Sequence, residues 1–275
     1  MCLAGTAETV RSHRHEGPVL SRRRFLAAGG AAAALAALPA PALARSTRHR
    51  HTRDLTHVFR DGFPVYTGNP PSRRTLVTIP NDGFYAQEWT FAEHSGTHLD
   101  APGHFIEGNR LADELPPEEL VVPLAVVDIS KRAATNPDAE VRVADLVAFE
   151  RRHGRIPRRA LVCMNSGWDS RVGDRASYLN PDASGVFHFP GFSLEAVEWL
   201  LDRRDIQGIG VDTSSLDFGP SATFVVHTTL LGEERYGLEG VANLGRVPAN
   251  RATVFVGLVP WEEGSGGPCR VIARW

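Results

Sequence analysis

Hydrophobic spacing along the chain alternates between strand-like and helix-like segments. Apolar residues that alternate or run without a break predict strands at 75–79, 84–94, 120–130, 160–164, 206–212, 252–259 and 269–275. Apolar residues that recur every three or four positions predict helices at 143–154, which Gly154 ends, and at 193–204, which Ser193 caps. The tetrapeptide PNDG, 80–83, predicts a turn. The order from 120 to 212 is therefore β-α-β-α-β with strand-rich flanks, which predicts a single α/β domain with a mixed sheet and flanking helices.

The first 44 residues have the pattern of an export signal and are set apart from the fold. Arg22 and Arg23 precede an Ala/Leu run that reaches about Leu38, and a small-residue A-L-A sequence ends at Ala44. The arginine pair resembles a twin-arginine signal, which predicts export of the folded protein by that machinery to the periplasm or the exterior. A membrane anchor is the alternative, but the apolar run is shorter than the roughly 20 residues of a spanning helix. The predicted organisation is a signal at 1–44, a mobile tail at 45–53 and the domain at 54–275.

Charge and cysteine content narrow the expected partners. Residues 1–44 hold five arginines and two glutamates, so the rest of the chain keeps 25 basic and 30 acidic side chains, a net charge of −5. This acidic balance argues against nucleic acid as a partner and leaves a small molecule as the expected one. Cys163 and Cys269 are too few for a disulfide framework; Cys163 is predicted to lie in the core, and a single bridge between them stays open.

The stretch HSGTHLDAPGHF, residues 94–105, concentrates side chains that bind metal ions. Its glycines and prolines disfavour a helix, so extended chain and turn are predicted. Residues two apart share a face of extended chain, which allows four even-numbered side chains to converge: His94, His98, Asp100 and His104. Imidazole nitrogen and carboxylate oxygen together suit zinc, manganese or iron. Structural histidines and an aspartate that caps a turn are the alternative interpretation.

The same stretch resembles the H-x-G-T-H-x-D-x-P-x-H-F signature of the metal-dependent cyclase family, which includes bacterial kynurenine formamidases and isatin hydrolases. The resemblance extends over most of the chain after the signal, through 54–70, 188–217 and 226–248. It implies a swivelling β/β/α, cyclase-like fold. It also implies assembly as a homo-oligomer, a dimer or tetramer.

The resemblance implies a role for each matching residue. The implied metal ligands are His94, His98, Asp100, His227 and Glu239, the last two at the family's twelve-residue spacing. His104 is the implied catalytic acid/base. The implied cofactor is zinc or manganese, with one or two ions per chain.

The implied activity is hydrolysis of a C–N amide bond, in an N-formyl arylamine or a cyclic amide such as isatin, by metal-activated water. Where formamidase-like members read P-x-W-P-G-D, this chain reads PVYTGNP and places Tyr66 at the tryptophan position. Tyr66, Phe63 and Trp168 are therefore predicted to line an aromatic-accepting pocket, with core positions as the alternative.

Two other functions stay open. One is a cyclase or lyase of secondary metabolism that uses the same metal; the other is a non-catalytic exported protein that binds a metal or ligand. An intact His104 favours the enzymes, because a binding protein needs no acid/base beside its metal.

Overall fold

The computed structural model describes residues 51–275. The predicted export signal and most of the predicted tail lie outside the described residues. Within 51–275, no helix is both long and apolar enough to cross a membrane. The described residues form two compact units, one of residues 73–89 and the other of 51–72 with 90–275.

Strands and helices alternate through the larger unit. The strands of the described chain are β1 Thr52–Asp54, β2 Ser72–Val77, β3 Ala86–Thr90, β4 His98–Asp100, β5 Val121–Asp128, β6 Glu140–Val141, β7 Leu161–Asn165, β8 Gly191–Phe192, β9 Gly208–Val211, β10 Tyr236–Glu239, β11 Ala252–Leu258 and β12 Gly266–Arg274. The α-helices are α1 Ile79–Asp82, α2 Ser130–Ala133, α3 Val143–His153, α4 Arg175–Leu179, α5 Leu194–Arg204 and α6 Val225–Gly232. Short 3₁₀ turns occur at Pro102–His104, Ala112–Glu114, Pro117–Glu119, Trp168–Arg171 and Leu244–Arg246.

The main sheet closes on itself as a barrel. Its strand order is β1-β12-β11-β5-β7-β9-β10-β4, and β4 also pairs with β12. Strands β5, β7, β9 and β10 are parallel neighbours, whereas the pairs that involve β4, β11 and β12 are antiparallel. The predicted mixed sheet with flanking helices is confirmed, and the parallel part contains the predicted β-α-β-α-β segment.

Gly266 allows β12 to pack closely against β4. It lies opposite Asp100 in the register, and a Cβ atom there would collide with the carbonyl oxygen of Leu99. Any larger residue would push β12 away from the strand that carries the metal-binding candidates.

Alternating side chains of the barrel strands divide the apolar core into two layers. On β5, Leu124 and Val126 belong to a cluster that also includes Leu99, Leu161, Val254 and Val271. Ala125 and Val127, on the opposite face, pack in a second cluster with residues of α3, α5 and α6, including Leu146, Val197 and Leu230. The period of two along a strand produces both layers.

Several local predictions need correction. The residues that were predicted to end the mobile tail start β1, because His51 exchanges backbone hydrogen bonds with Trp275 and stacks on its ring at 5.6 Å. The predicted PNDG turn is the end of the one-turn helix α1, followed by Gly83 in the left-handed region.

Cys163 is buried as predicted, and both it and Cys269 are free thiols.

The smaller unit is a hairpin of β2 and β3. Arg74 and Glu88 face each other across it in a bidentate ion pair with N···O distances of 2.7 and 2.9 Å. The second strand ends at Thr90, four residues before the predicted end at His94.

Candidate active site and metal centre

Three predicted ligands lie side by side on β4 and β10. Glu239 is the register partner of His98, and Asp100 follows two residues later on the same face of β4. The side chain between them, Leu99, points into the barrel core. His98 Nε2 lies 3.4 Å from both Asp100 Oδ1 and Glu239 Oε2, and all three side chains are buried.

Helix α6 adds His227 to this group. His227 Nε2 lies 3.0 Å from Glu239 Oε1 and 3.7 Å from Asp100 Oδ2. Its other ring nitrogen, Nδ1, lies 2.6 Å from Asp217 Oδ2. Asp217 is buried and also accepts from Ser221 Oγ and from the backbone N–H groups of Val226 and His227. A charged acceptor of this kind orients the imidazole and makes it a better donor to a metal.

His94 and His104 complete the cluster from outside the strand. His94 precedes Gly96, which has a φ of +74°, and its Nδ1 lies 2.7 Å from Asp100 Oδ1. His104 ends the turn Pro102–His104, and its ring stacks on His94 with 3.8 Å between centroids. The four even-numbered side chains do converge, but only His98 and Asp100 do so through extended chain. Turns before and after β4 bring in the other two.

Opposite effects of burial and of the carboxylates set the protonation of the cluster. Burial alone would lower the pKa of His98, but the neighbouring carboxylates of Asp100 and Glu239 raise it to about 10. Burial acts on His227 in the same way, and Asp217 and Glu239 raise its pKa to about 10. Burial lowers the pKa of His104 to about 4, so this ring is neutral at neutral pH.

The residues of the cluster fit a divalent transition metal. His98 Nε2 and Asp100 Oδ2 are buried and have no well-formed hydrogen bond within the described chain, although oppositely charged groups surround them. Buried polar atoms of this kind are costly unless something binds them. Two overlapping sets of ligand atoms are close enough to share an ion, His98 with Asp100 and Glu239, and His94 with Asp100 and His104. Mixed imidazole and carboxylate donors suit zinc, manganese or iron better than calcium or magnesium.

A cavity of about 250 Å³ opens above the cluster. Aromatic rings form part of its wall, with Tyr66 and Phe105 each within 6 Å of Phe224, centroid to centroid. The hydroxyl residues Thr67, Ser214 and Ser215 also line it. The cavity is apolar on one side and carries the metal-binding candidates on the other, as is typical of a small-molecule site.

The three predicted pocket residues have different positions. Tyr66 lines the cavity. Phe63 is buried and borders a smaller adjoining cavity of about 50 Å³. Trp168 was wrongly assigned to the pocket: it lies in a buried cluster against which Tyr66 packs, and its indole N–H donates to the carbonyl oxygen of Tyr178 at 2.7 Å.

Known proteins resemble this chain over most of its length. The sequence profile of a family described as putative cyclase matches residues 53–218, more than half of the chain. The chain belongs to this cyclase family. An isatin hydrolase of Roseibium aggregatum is 38% identical over 76% of this chain and 84% of its own length. A kynurenine formamidase of Erythrobacter litoralis is 29% identical over 82% of this chain and 94% of its own length. The crystal structure of an isatin hydrolase bound to the product analogue thioisatinate has a TM-score of 0.78 and 31% identity, and covers 82% of this chain and 92% of that one.

The cyclase-family chain is a metal-dependent amide hydrolase. The isatin hydrolase and the kynurenine formamidase among its relatives carry names of amide hydrolases, and its own buried cluster could hold a divalent metal. These relatives do not favour the two alternative functions, a lyase or cyclase of secondary metabolism and a non-catalytic binding protein.

Some residues of this cyclase-family site were absent from the sequence predictions. Asp217, Phe105 and Phe224 all contact His227, by a hydrogen bond or by ring packing at 4.8 and 5.7 Å. Phe105 stands beside His104 within the signature, and Asp217 ends the matching segment 188–217, so both had a weak sequence signal. Phe224 had none, because its place on the wall depends on how the chain enters α6.

Proposed function

We propose that the protein hydrolyses the ring amide of a small bicyclic aryl lactam of the isatin kind, with zinc or manganese as its metal. The observation that carries this proposal is the cavity of about 250 Å³ with aromatic rings on its wall and a buried His/Asp/Glu cluster beneath them. The names of the relatives support it, since an isatin hydrolase is 38% identical and another has been crystallised with an analogue of its product.

The cavity suits a flat aromatic amide for steric and chemical reasons. Tyr66 packs edge to face on Phe187 and Phe224, with centroids 5.2 and 5.9 Å apart, so its ring is held in place without a ligand. Preorganised rings bind an aromatic face at small entropic cost. The reacting carbonyl would lie toward Asp100 and Glu239, where the buried cluster is.

Hydrolysis breaks the amide C–N bond, forms a new C–O bond and requires that the nitrogen collect a proton. His98, Asp100 and Glu239 would hold a divalent ion, which would polarise the carbonyl and lower the pKa of water. His104 is the candidate for the proton transfers. It is neutral at neutral pH, lines the cavity and can take a proton from the attacking water and return it to the leaving nitrogen.

The cluster offers ligands for one ion or for two. Asp100 is common to both sets of ligand atoms, and a carboxylate with two oxygens can bridge a pair of ions. Elemental analysis of the pure protein distinguishes the two arrangements. If the wild-type protein holds two ions, loss of one ion in His227→Ala would show that His227 binds the second ion.

We also propose that the protein is exported by the twin-arginine pathway and acts outside the cytoplasm as a homo-oligomer, a dimer or tetramer. The arginine pair at Arg22 and Arg23 and the small-residue sequence at Ala44 support export. Light scattering of the purified protein gives the subunit count.

The test compares two substrate classes on the full chain after processing. Isatin and N-formylkynurenine are assayed with added zinc or manganese, and we expect kcat/KM for isatin to exceed that for N-formylkynurenine at least tenfold. Asp100→Asn should abolish the activity, whereas Asp128→Asn, a change at an exposed carboxylate outside the cluster, should not. A preference for N-formylkynurenine would replace the lactam proposal with a formamidase, and no hydrolysis of either would refute both.

A further inference from the structure

A chain of hydrogen bonds leads from His94 away from the metal cluster. His94 Nε2 lies 2.9 Å from Ser265 Oγ, and Ser265 Oγ lies 2.5 Å from Glu93 Oε2. The backbone N–H of Ser265 also donates to Glu93 Oε2, at 3.2 Å. The opposite ring nitrogen of His94, Nδ1, faces Asp100 Oδ1 at 2.7 Å. Ser265 and Glu93 therefore stand behind the imidazole, on the side away from the cluster.

The direction of this chain decides which nitrogen of His94 carries a proton. A hydroxyl has one proton to donate and a carboxylate only accepts, so Ser265 Oγ–H donates to Glu93. Ser265 Oγ then accepts from His94, which places a proton on Nε2. Nδ1 would then be the nitrogen left to bind an ion, in place of its contact with Asp100 Oδ1 at 2.7 Å.

His94 differs in this respect from the other two histidines predicted as ligands, His98 and His227. His98 Nδ1 lies 3.0 Å from the carbonyl oxygen of Gly96, and His227 Nδ1 lies 2.6 Å from Asp217 Oδ2. Both therefore turn Nε2 toward the carboxylates, whereas His94 turns Nδ1. A histidine that binds through the other nitrogen needs its own outer partner, and Ser265 occupies that position.

The backbone around Ser265 is shaped for this contact. A Cβ atom at Gly264 would lie 2.6 Å from Trp261 Cβ and 3.1 Å from Glu93 Oε1. A Cβ atom at Gly266 would lie 2.9 Å from His94 Cε1. The two glycines let the segment approach His94 closely, and the carbonyl oxygen of Ser265 is fixed by the backbone N–H of Ala101 at 2.9 Å.

We propose that Ser265 and Glu93 are positioning residues that hold His94 in the tautomer whose Nδ1 binds the metal. The proposal rests on the metal-binding role of His94 within the proposed function, but not on any particular substrate. Outer partners of a metal-bound histidine are typically worth 10–100-fold in metal affinity. Ser265→Ala should therefore weaken zinc binding by about that factor, and Glu93→Gln, which keeps an acceptor oxygen for the hydroxyl, should weaken it less.

The chain offers a matched control in Ser130. Its Oγ and backbone N–H donate to Asp128 Oδ1 at 2.6 and 2.8 Å, the same pairing as between Ser265 and Glu93, but exposed and without a histidine. Ser130→Ala should leave zinc affinity unchanged.

The experiment measures zinc affinity by competition with a chromogenic chelator, and the histidine tautomers by ¹⁵N NMR of the zinc-loaded protein. We expect wild-type His94 to show a protonated Nε2 and a metal-bound Nδ1. Ser265→Ala should bind zinc more weakly, and its ¹⁵N spectrum should no longer show His94 in this single tautomer. Unchanged affinity in Ser265→Ala, an equal loss in Ser130→Ala, or a wild-type His94 bound through Nε2 would each overturn the proposal. Wild-type protein that binds zinc but hydrolyses no amide would refute the proposed function and leave this one standing, whereas protein that binds no zinc would refute both.

Discussion

Replacing His104 with alanine separates proton transfer from metal binding. A ring nitrogen of His104 lies within 4.8 Å of ligand atoms of His94 and Asp100, close enough for His104 to be a third ligand of an ion there. The alternative is that it only moves protons between water and the leaving nitrogen. A neutral ring suits either role, but its place on the cavity wall, beside the space for a substrate, favours proton transfer.

The expected effect on activity is large and the effect on stability is small. Removal of a general acid/base lowers kcat by about 10² to 10⁴, which corresponds to roughly 3 to 5.5 kcal/mol of barrier. The half-buried ring packs on His94 at 3.8 Å and on Phe105 at 4.7 Å, centroid to centroid. Two aromatic contacts of about 0.5–1.5 kcal/mol each suggest a loss of about 1–3 kcal/mol in the free energy of unfolding, which should leave the protein folded.

The assay combines elemental analysis with kcat and KM for His104→Ala and for His98→Ala, a ligand variant. We expect His104→Ala to retain its metal and its KM while kcat falls, and His98→Ala to lose metal and activity together. Loss of metal from His104→Ala would make His104 a ligand. Full activity in that variant would refute its catalytic role.

Three other outcomes are expected. Asp217→Asn should weaken metal binding about 10–100-fold, measured by competition titration, because it removes the charge that orients His227; an unchanged affinity would show that the carboxylate only supports the helix. Zinc affinity should rise with pH between 6 and 9, because the raised pKa values of His98 and His227, about 10, mean that an incoming ion must displace protons, and a pH-independent affinity would contradict this. Replacement of Arg22 and Arg23 with lysine should leave unprocessed protein in the cytoplasm, as judged by fractionation and N-terminal sequencing; unchanged export would indicate a general secretory signal.

The elements that could be predicted from the sequence are those with strong local periodicity. Helices α3 and α5 and strands β5, β7, β9, β11 and β12 lie where apolar spacing placed them, within a few residues at their ends. Their hydrophobic faces are buried by the barrel and by the helices, so the local pattern and the tertiary fold agree. Strand β10 was not predicted, because its four residues YGLE carry a glycine and too few apolar positions to show a period.

Closure of the barrel was beyond sequence reasoning. It depends on the pairing of β4 with both β10 and β12, which are separated from it by more than a hundred residues. For the same reason, the spacing of His94, His98 and Asp100 could suggest a metal site, but only the family resemblance suggested His227 and Glu239. The wrong prediction for Trp168 has a simple cause: an aromatic residue in an apolar segment suits a core and a pocket equally, and the ring fills a core.

The start of α6 links a candidate ligand, the helix cap and the cavity wall. Phe224 precedes the helix with a φ of +48°, in the left-handed region that costs a bulky residue energy, and its side chain does not cap the helix. The free N–H groups of the first turn, at Val226 and His227, are satisfied instead by Asp217, the carboxylate that also accepts from His227 Nδ1. The unusual backbone at Phe224 places its ring near Tyr66. The helix that follows presents His227, three residues after Phe224, to Glu239. A single strained residue therefore lies where the cavity wall and a candidate metal ligand meet, and relaxing it would displace both.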